Sequence, residues 1–159
     1  SCIFMNIPIP ISTNLPTEEM RRMNRLICET DALYHEIAVR FGISDSTMRL
    51  LYLLYSEDGK CALRALYRFS GLSKQTVHSS LNGLEQKEYV TILSESRKSK
   101  TAVLTEAGYS LCAETVARLI EAENRALAAV SDEELSVYFR VSEHFLTALG
   151  KERFDSNKN

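Results

Sequence analysis

Residues 71–104 read GLSKQTVHSSLNGLEQKEYVTILSESRKSKTAVL, and this stretch decides the fold. Ser73 is a good N-cap, because its hydroxyl can accept a hydrogen bond from a free backbone N–H of the first helical turn. A helix is therefore predicted to begin at Lys74. Its apolar residues recur with the helical period and form one stripe, at Val77, Leu81 and Leu84.

The rest of this helix surface is polar. Short hydrogen-bonding side chains on an exposed helix face suit the base edges in a DNA major groove. The residues outside the apolar stripe include Lys74, Gln75, His78, Ser79 and Asn82. A helix whose polar side chains only contact water can have the same composition. The neighbouring segment is therefore needed to distinguish a DNA-contacting helix from a solvated one.

A predicted β-hairpin follows the helix. Residues 89–93 and 101–105 are both β-prone, and the linker SESRKSK joins them. The linker carries three basic side chains, those of Arg97, Lys98 and Lys100. A helix followed directly by a basic hairpin is the order of elements in a winged helix-turn-helix.

Charge is unevenly distributed along the chain, whose net charge is only −2. Residues 60–100 hold 8 basic and 3 acidic side chains, whereas residues 1–59 hold 5 and 8 and residues 101–159 hold 6 and 10. Phosphate contacts supply most of the affinity of DNA-binding proteins. A positive block between acidic arms therefore favours a DNA-binding module.

Taken together, these features resemble the MarR family of bacterial transcriptional regulators. The resemblance extends from about Thr17 to Leu149, and the residues that carry it are Ser73, Thr76-Val77, Leu84-Glu85, Tyr89-Val90, Arg97-Lys98 and the LTEAG of residues 104–108. It implies a mainly α fold with a small β-hairpin wing, in which a winged helix-turn-helix is flanked by long dimerisation helices. It also implies a homodimer on pseudo-palindromic double-stranded DNA, with candidate DNA-binding residues Ser73, Lys74, Gln75, Thr76, His78, Ser79, Asn82, Arg97, Lys98 and Lys100.

Three departures from the family pattern carry expectations of their own. Ser79 and Gly83 stand where the family often has arginines, which predicts weaker helix contacts or more dependence on the wing. Ser96 stands where an aspartate usually braces the next arginine, and Glu95 is available as a substitute. Glu88 replaces the glycine that ends the helix, so it is expected to adopt a positive φ at some cost, or the helix end shifts.

The flanking segments complete the predicted organisation. Residues 1–16 hold all three prolines and spaced isoleucines, which predicts an extended arm against the body of the protein or a partner subunit. The predicted parts are one winged-helix domain at 17–150, its reading head at about 44–105, its dimerisation helices at about 17–41 and 106–150, and a tail at 151–159.

Helices are predicted from apolar periodicity and from capping residues. Thr17 and Gly42 are expected to bound the first helix, and a capping box at Ser131–Glu134 is expected to start the last one. The helices predicted between them cover residues 46–56, 61–69, 74 to about 87, and 105 to about 127.

Several classes of protein are not indicated. The four cysteines show no metal-ligand spacing and no disulfide framework, so no metal or cofactor is expected. The three histidines lie in no catalytic motif, so an enzyme is not expected. No apolar run is long enough to span a membrane, and reduced thiols with no secretory signal favour a cytoplasmic protein.

Two further features bear on how the protein is controlled. Some members of the family bind phenolic or aromatic acids between the dimer helices and the reading head, which implies an effector pocket at Tyr34, Tyr52, Tyr55 and Tyr67. These tyrosines are equally compatible with a role in the core. Cys28 lies in a helix where peroxide-sensing members keep a reactive cysteine, but a buried structural thiol is the favoured interpretation.

The function predicted from these observations is a ligand-responsive transcriptional repressor that acts as a homodimer with a small aromatic effector. Two alternatives remain open at this point. One is a winged-helix protein-interaction module that does not bind DNA. The other is a cysteine-based peroxide-sensing regulator.

Overall fold

The computed structural model describes residues 14–154. Within this range the chain is mainly α-helical with one small sheet, and its elements are α1 (Glu18–Phe41), α2 (Asp45–Ser56), β1 (Lys60–Ala62), α3 (Leu63–Phe69), α4 (Lys74–Gln86), β2 (Val90–Ser96), β3 (Ser99–Leu104), α5 (Glu106–Glu114), α6 (Val116–Leu127) and α7 (Asp132–Gly150). The predicted fold class is confirmed. The predicted arm and the predicted tail lie mostly outside the described residues.

Local capping groups set several helix ends where the sequence predicts them. The hydroxyl of Thr17 accepts a hydrogen bond from the backbone N–H of Met20, and α1 begins at the next residue. Gly42 ends α1 with φ 70°, a left-handed conformation that glycine adopts without a Cβ clash. Ser131 and Glu134 form the predicted capping box of α7.

The core is built around α2, as its nearly continuous apolar sequence predicts. Its buried residues are Met48, Leu50, Leu51 and Leu54. Against them α4 packs its stripe of Val77, Leu81 and Leu84. Burying a side chain of this size contributes about 1.5–3 kcal/mol, so this contact orients α4 and leaves its opposite face to solvent.

The sheet has three antiparallel strands in the order β1-β3-β2. Its first strand corrects the prediction of a helix over residues 61–69, because Cys61 pairs with Ala102 and the helix begins only at Leu63. The periodicity of so short a segment does not separate a strand from a helical turn. The pairing of Cys61 with Ala102 of β3, far along the chain, makes this segment a strand.

The hairpin is longer and its turn tighter than predicted. Antiparallel pairing continues to Ser96 opposite Ser99, so β2 and β3 extend through most of the segment that was expected to be a loop. Only Arg97 and Lys98 form the turn. The basic residues therefore sit on a paired ribbon that projects from the body.

The predicted long helix after the wing is broken into α5 and α6. Thr105 caps α5 as expected, by accepting a hydrogen bond from the N–H of Gly108 at 3.0 Å. The break is at Thr115, whose φ of −124° and ψ of −93° are not helical. No proline or glycine stands there, and the buried Thr115 hydroxyl bonds to the carbonyl of Leu111 at 2.7 Å, a local interaction that competes with the helix ladder.

The two ends of the described chain expose much apolar surface. Ala38 is the only fully buried residue of α1, and α7 has none. Large hydrophobic side chains exposed on these two helices include Leu26, Ile27, Leu33, Tyr138, Val141, Phe145 and Leu146. Helices of this length are not stable in water without covering such surface, so they are candidates for contact with another chain.

Candidate nucleic-acid interface and effector pocket

The outer face of α4 is the first part of the candidate interface. Ser73 caps the helix as predicted, and its hydroxyl accepts a hydrogen bond from the backbone N–H of Thr76 at 3.1 Å. The side chains of Gln75 and Ser79 are exposed and make no hydrogen bond within the described part of the chain. They are therefore the side chains most available to an external partner.

Other predicted contact residues of α4 already have neighbours. The hydroxyls of Ser73 and Thr76 lie 2.8 Å apart, and the Asn82 amide nitrogen lies 3.3 Å from Nε2 of His78. The ammonium of Lys74 lies over the ring of Tyr67, 5.5 Å from its centroid. These contacts hold the side chains in defined positions on the helix surface.

Ser80, the residue after Ser79, does not share this outer face. Its hydroxyl lies 2.7 Å from that of Ser46, so it faces the start of α2. One step along a helix turns a side chain by about 100°, which is enough to move it from the outer face to the packed face.

The wing tip is the second part of the candidate interface. Arg97, Lys98 and Lys100 are all exposed there. No lysine or arginine within residues 14–154 forms an ion pair, so these charges are not neutralised by the described chain. The prediction that Glu95 braces the next arginine in place of an aspartate is wrong, because Glu95 makes no hydrogen bond or ion pair with Arg97. Instead, the Ser96 hydroxyl accepts a hydrogen bond from the backbone N–H of Lys98 at 3.3 Å.

The junction between α4 and the wing keeps its geometry without glycine. Glu88 has φ 60°, which confirms the expectation of a left-handed residue there. The N–H of Tyr89 bonds to the carbonyl of Leu84 and the N–H of Glu88 to that of Glu85, both at 2.9 Å, which is the bond pattern of a Schellman motif. The chain therefore reverses sharply into β2.

The start of α5 locks this junction from the other side. The Thr105 hydroxyl donates a hydrogen bond to the carbonyl of Glu88 at 2.6 Å, and the Thr105 N–H bonds to the carbonyl of Tyr89 at 3.1 Å. Gly108 packs so closely against the backbone of Tyr89 that a Cβ at Gly108 would overlap the carbonyl oxygen of Tyr89. The orientation of the wing relative to α4 is thus fixed by backbone contacts.

A cavity of about 580 Å³ lies between the outer helices and the reading head. It is lined by residues of α1, α2 and α6 and by Phe69 and Ser70 at the end of α3. Tyr34 of α1 and Tyr52 of α2 both reach it and both donate hydrogen bonds to Glu123 of α6, at 2.5 Å and 2.6 Å. One carboxylate therefore ties three helices together.

The two tyrosine hydroxyls are strongly held in their neutral form. Burial, together with the hydrogen bond to Glu123 and its negative charge, raises the pKa of Tyr34 and that of Tyr52 from 10.0 to about 12. Both hydroxyls consequently remain donors at neutral pH.

The other two tyrosines of the predicted pocket do not line this cavity. Tyr55 is half-buried against the core, and Tyr67 packs beneath Lys74. Sequence alone could not separate the four, because all of them recur on apolar helix faces. Of the four predicted tyrosines, Tyr34 and Tyr52 line this cavity and Tyr55 and Tyr67 do not, and their role in effector binding stays a prediction.

Glu123 is the residue of this site that the sequence analysis missed. It lies on the same helix face as Val116, Leu119 and Leu127, where an apolar residue is expected from the spacing. A carboxylate in an apolar stripe needs buried donors as partners. That anomaly in the pattern is the signal that could have identified it.

Cys28 does not have the predicted buried environment, because it is exposed on α1 in the described chain. Cys61 and Cys112 are buried, and burial raises the pKa of the Cys112 thiol to about 11. Among the described residues no group of His, Cys, Asp and Glu side chains is arranged to hold a metal ion. No helix in that part of the chain is long and apolar enough to cross a membrane.

Comparison with known proteins supports the resemblance noted in the sequence. Residues 36–99, from the second half of α1 to the far side of the hairpin turn, match the sequence model of the MarR family. This match confirms the predicted family resemblance over the reading head. No curated protein sequence matches the chain.

Solved structures of MarR regulators share the fold. The regulator NMB1585 from Neisseria meningitidis is 17% identical, with a TM-score of 0.74 over 85% of this chain and 96% of its own. MepR from S. aureus, in complex with DNA, is 19% identical with a TM-score of 0.64 over 86% and 99%. PcaV from Streptomyces coelicolor, in complex with its natural ligand, is 14% identical with a TM-score of 0.62 over 86% and 99%.

Proposed function

We propose that this chain, which carries the MarR-family segment and fold, is a sequence-specific double-stranded DNA-binding transcriptional repressor that acts as a homodimer and responds to a small ligand. The observation that supports it best is the combination of an exposed polar face on α4 with basic wing side chains that form no ion pair within residues 14–154. A solvated helix or a basic loop alone would be unremarkable in a protein surface.

The proposed DNA contacts divide between helix and wing. Gln75 and Ser79 enter the major groove, because they are exposed and free of internal hydrogen bonds. Ser73, Lys74, Thr76, His78 and Asn82 surround them and position the helix on the duplex. Arg97, Lys98 and Lys100 contact phosphates or the adjacent minor groove. The structure of MepR with DNA supports this assignment by similarity of fold.

Dimerisation is proposed from the exposed apolar surface of the outer helices. The exposed apolar side chains of α1 and α7 are the surface that a second copy would cover. In sedimentation at micromolar concentration we expect a dimer, and a monomer there would contradict this part of the proposal.

The decisive experiment is a salt series of binding to the DNA upstream of the protein's own gene, compared with random DNA of equal length. Specific binding should exceed random binding at every salt concentration, because base contacts add to the electrostatic term. Equal affinity on both DNAs would contradict sequence-specific binding. No binding at low salt would instead support the protein-interaction alternative.

Two substitutions separate base contacts from phosphate contacts. Gln75→Ala should cost about 1–3 kcal/mol on the specific site and little on random DNA, whereas Lys98→Ala should weaken both and reduce the salt slope by about one unit. Gln86→Ala, at the far end of α4, and Lys151→Ala, beyond α7, are the matched controls and should have much smaller effects. Equal losses on both DNAs for Gln75→Ala would refute its role in direct readout.

Ligand response is proposed for the cavity between the outer helices and the reading head. Its walls belong to both parts of the molecule, so a bound molecule can change their relative position. The complex of PcaV with its natural ligand supports the general idea by similarity of fold. The effector predicted from the sequence, a small aromatic compound, remains part of the proposal.

A further inference from the structure

The charge inside the cavity indicates which class of small molecule it would take. Glu123 is half-buried and lies at the cavity wall, and no lysine, arginine or histidine within residues 14–154 forms an ion pair with it. Its two oxygens each accept one tyrosine hydrogen bond, and each keeps further acceptor capacity. A partly desolvated carboxylate with only neutral donors is a favourable partner for a cation.

The other charged groups of the cavity do not reverse this balance. Arg49 directs its guanidinium at the carbonyl of Ser70, at 2.9 Å, and His35 bonds to Asp45 at 2.9 Å. Asp31 lies at the cavity as well and adds a negative charge. An anionic ligand would therefore lie beside several carboxylates, with one already engaged arginine as its counter-charge.

The uncharged walls suit an aromatic group. The rings of Tyr34, Tyr52 and Phe69 and the apolar side chains of Met48, Leu53 and Leu119 line the cavity. Aromatic faces attract cations, and this attraction grows where water is excluded. The volume of about 580 Å³ lies in the range of small-molecule sites and accommodates a two-ring compound.

We propose that the cavity binds an aromatic organic cation whose protonated or quaternary nitrogen pairs with Glu123. The inference deepens the ligand-responsive part of the proposed function and rests on it. It replaces the anionic aromatic acids implied by the family resemblance with a ligand of opposite charge. A cation that competes for Glu123 would weaken the hydrogen bonds that tie α1 and α2 to α6.

The first test compares three ligands of one shape on the unmodified full-length protein without DNA. These are 1-naphthylmethylammonium, 1-naphthylmethanol and 1-naphthoate, with affinity measured by calorimetry at neutral pH. Charge-assisted hydrogen bonds predict that the ammonium compound binds roughly tenfold to a hundredfold more tightly than the alcohol, and that naphthoate binds most weakly. Equal affinities, tighter binding of naphthoate or no binding of the ammonium compound would overturn the proposal.

The second test localises the charge. Glu123→Gln should remove at least nine-tenths of the preference for the ammonium compound over the alcohol, while Glu121→Gln, an exposed neighbour on α6, should leave it unchanged. Retention of the preference in Glu123→Gln would overturn the assignment. Because ligand binding is measured without DNA, the two proposals can fail separately. Binding of the cation without any DNA binding would contradict the proposed repressor. DNA binding without binding of the cation would contradict only this inference.

Discussion

Glu88→Gly is expected to stabilise the protein, although glycine usually weakens a folded chain. Glu88 has φ 60°, and a side chain with a Cβ pays about 1–2 kcal/mol in the left-handed region. Glycine removes that clash but loses more conformational entropy on folding, which offsets about 0.5–1 kcal/mol. The net expectation is a gain of about 0.5–1 kcal/mol in the free energy of unfolding.

The backbone around Glu88 is what makes the gain specific to this position. Its N–H, its carbonyl and the N–H of Tyr89 are all engaged in hydrogen bonds that need the sharp reversal, so the chain cannot relax to a negative φ. Lys87→Gly is the matched control, because its φ is −85° and it carries no such strain. It should destabilise by roughly 0.5–1 kcal/mol.

Both variants are measured by urea unfolding followed by circular dichroism, at one fixed protein concentration because the proposed dimer makes stability concentration-dependent. The expected result is that the two substitutions change the midpoint in opposite directions with equal m-values. A destabilising Glu88→Gly, or equal changes in both variants, would show that Glu88 is not strained as its backbone angle indicates.

Three other predictions follow from particular contacts. Gly108→Ala should destabilise the protein by several kcal/mol, as overpacking of a core does. Gly83→Ala, whose Cβ would meet no atom within 4 Å, should instead stabilise α4 by up to about 1 kcal/mol in the same urea assay. Similar effects of the two substitutions would contradict the packing of the wing junction. Because the pKa of Tyr34 and that of Tyr52 are raised to about 12 in the folded protein, their contribution to stability is complete below pH 10 and is lost as pH rises from 10 through 12. The tyrosinate absorbance that appears in this range should be smaller in Tyr34→Phe and Tyr52→Phe. Stoichiometric peroxide should leave DNA affinity unchanged, since no side chain in residues 14–154 is hydrogen-bonded to the Cys28 thiol to activate it as a nucleophile. Release from DNA that disappears in Cys28→Ser would establish a peroxide sensor instead.

The features that sequence predicted well are those set by neighbouring residues. The caps at Thr17 and Ser73, the glycine end at Gly42 and the positive φ of Glu88 each depend on a few positions along the chain. The apolar stripe of α4 likewise follows from a period of 3.6 residues. These features can be predicted from sequence because the residues that determine them lie within a few positions of one another.

The features that sequence predicted wrongly depend on partners far away in the chain. Cys61 is in a strand because Ala102 pairs with it, and the hairpin loop is short because pairing continues to its tip. The exposure of Cys28 has the same origin, since a residue type that is usually buried lies on a helix face that this chain does not cover.

The position of α2 connects the proposed ligand site to the proposed DNA-binding face. Tyr52 of α2 is bonded to Glu123, while the Ser46 hydroxyl at the other end of the same helix meets Ser80 of α4. The buried leucines between these two points pack α2 against α4, so the helices must move together or separate at considerable cost. A ligand that breaks the bond between Tyr52 and Glu123 therefore acts on a helix that packs directly against α4. Because the outer helices hold Glu123 and Tyr34, we expect the same ligand to alter the distance between the two α4 helices of the proposed dimer. That distance determines whether both helices fit a two-fold DNA site.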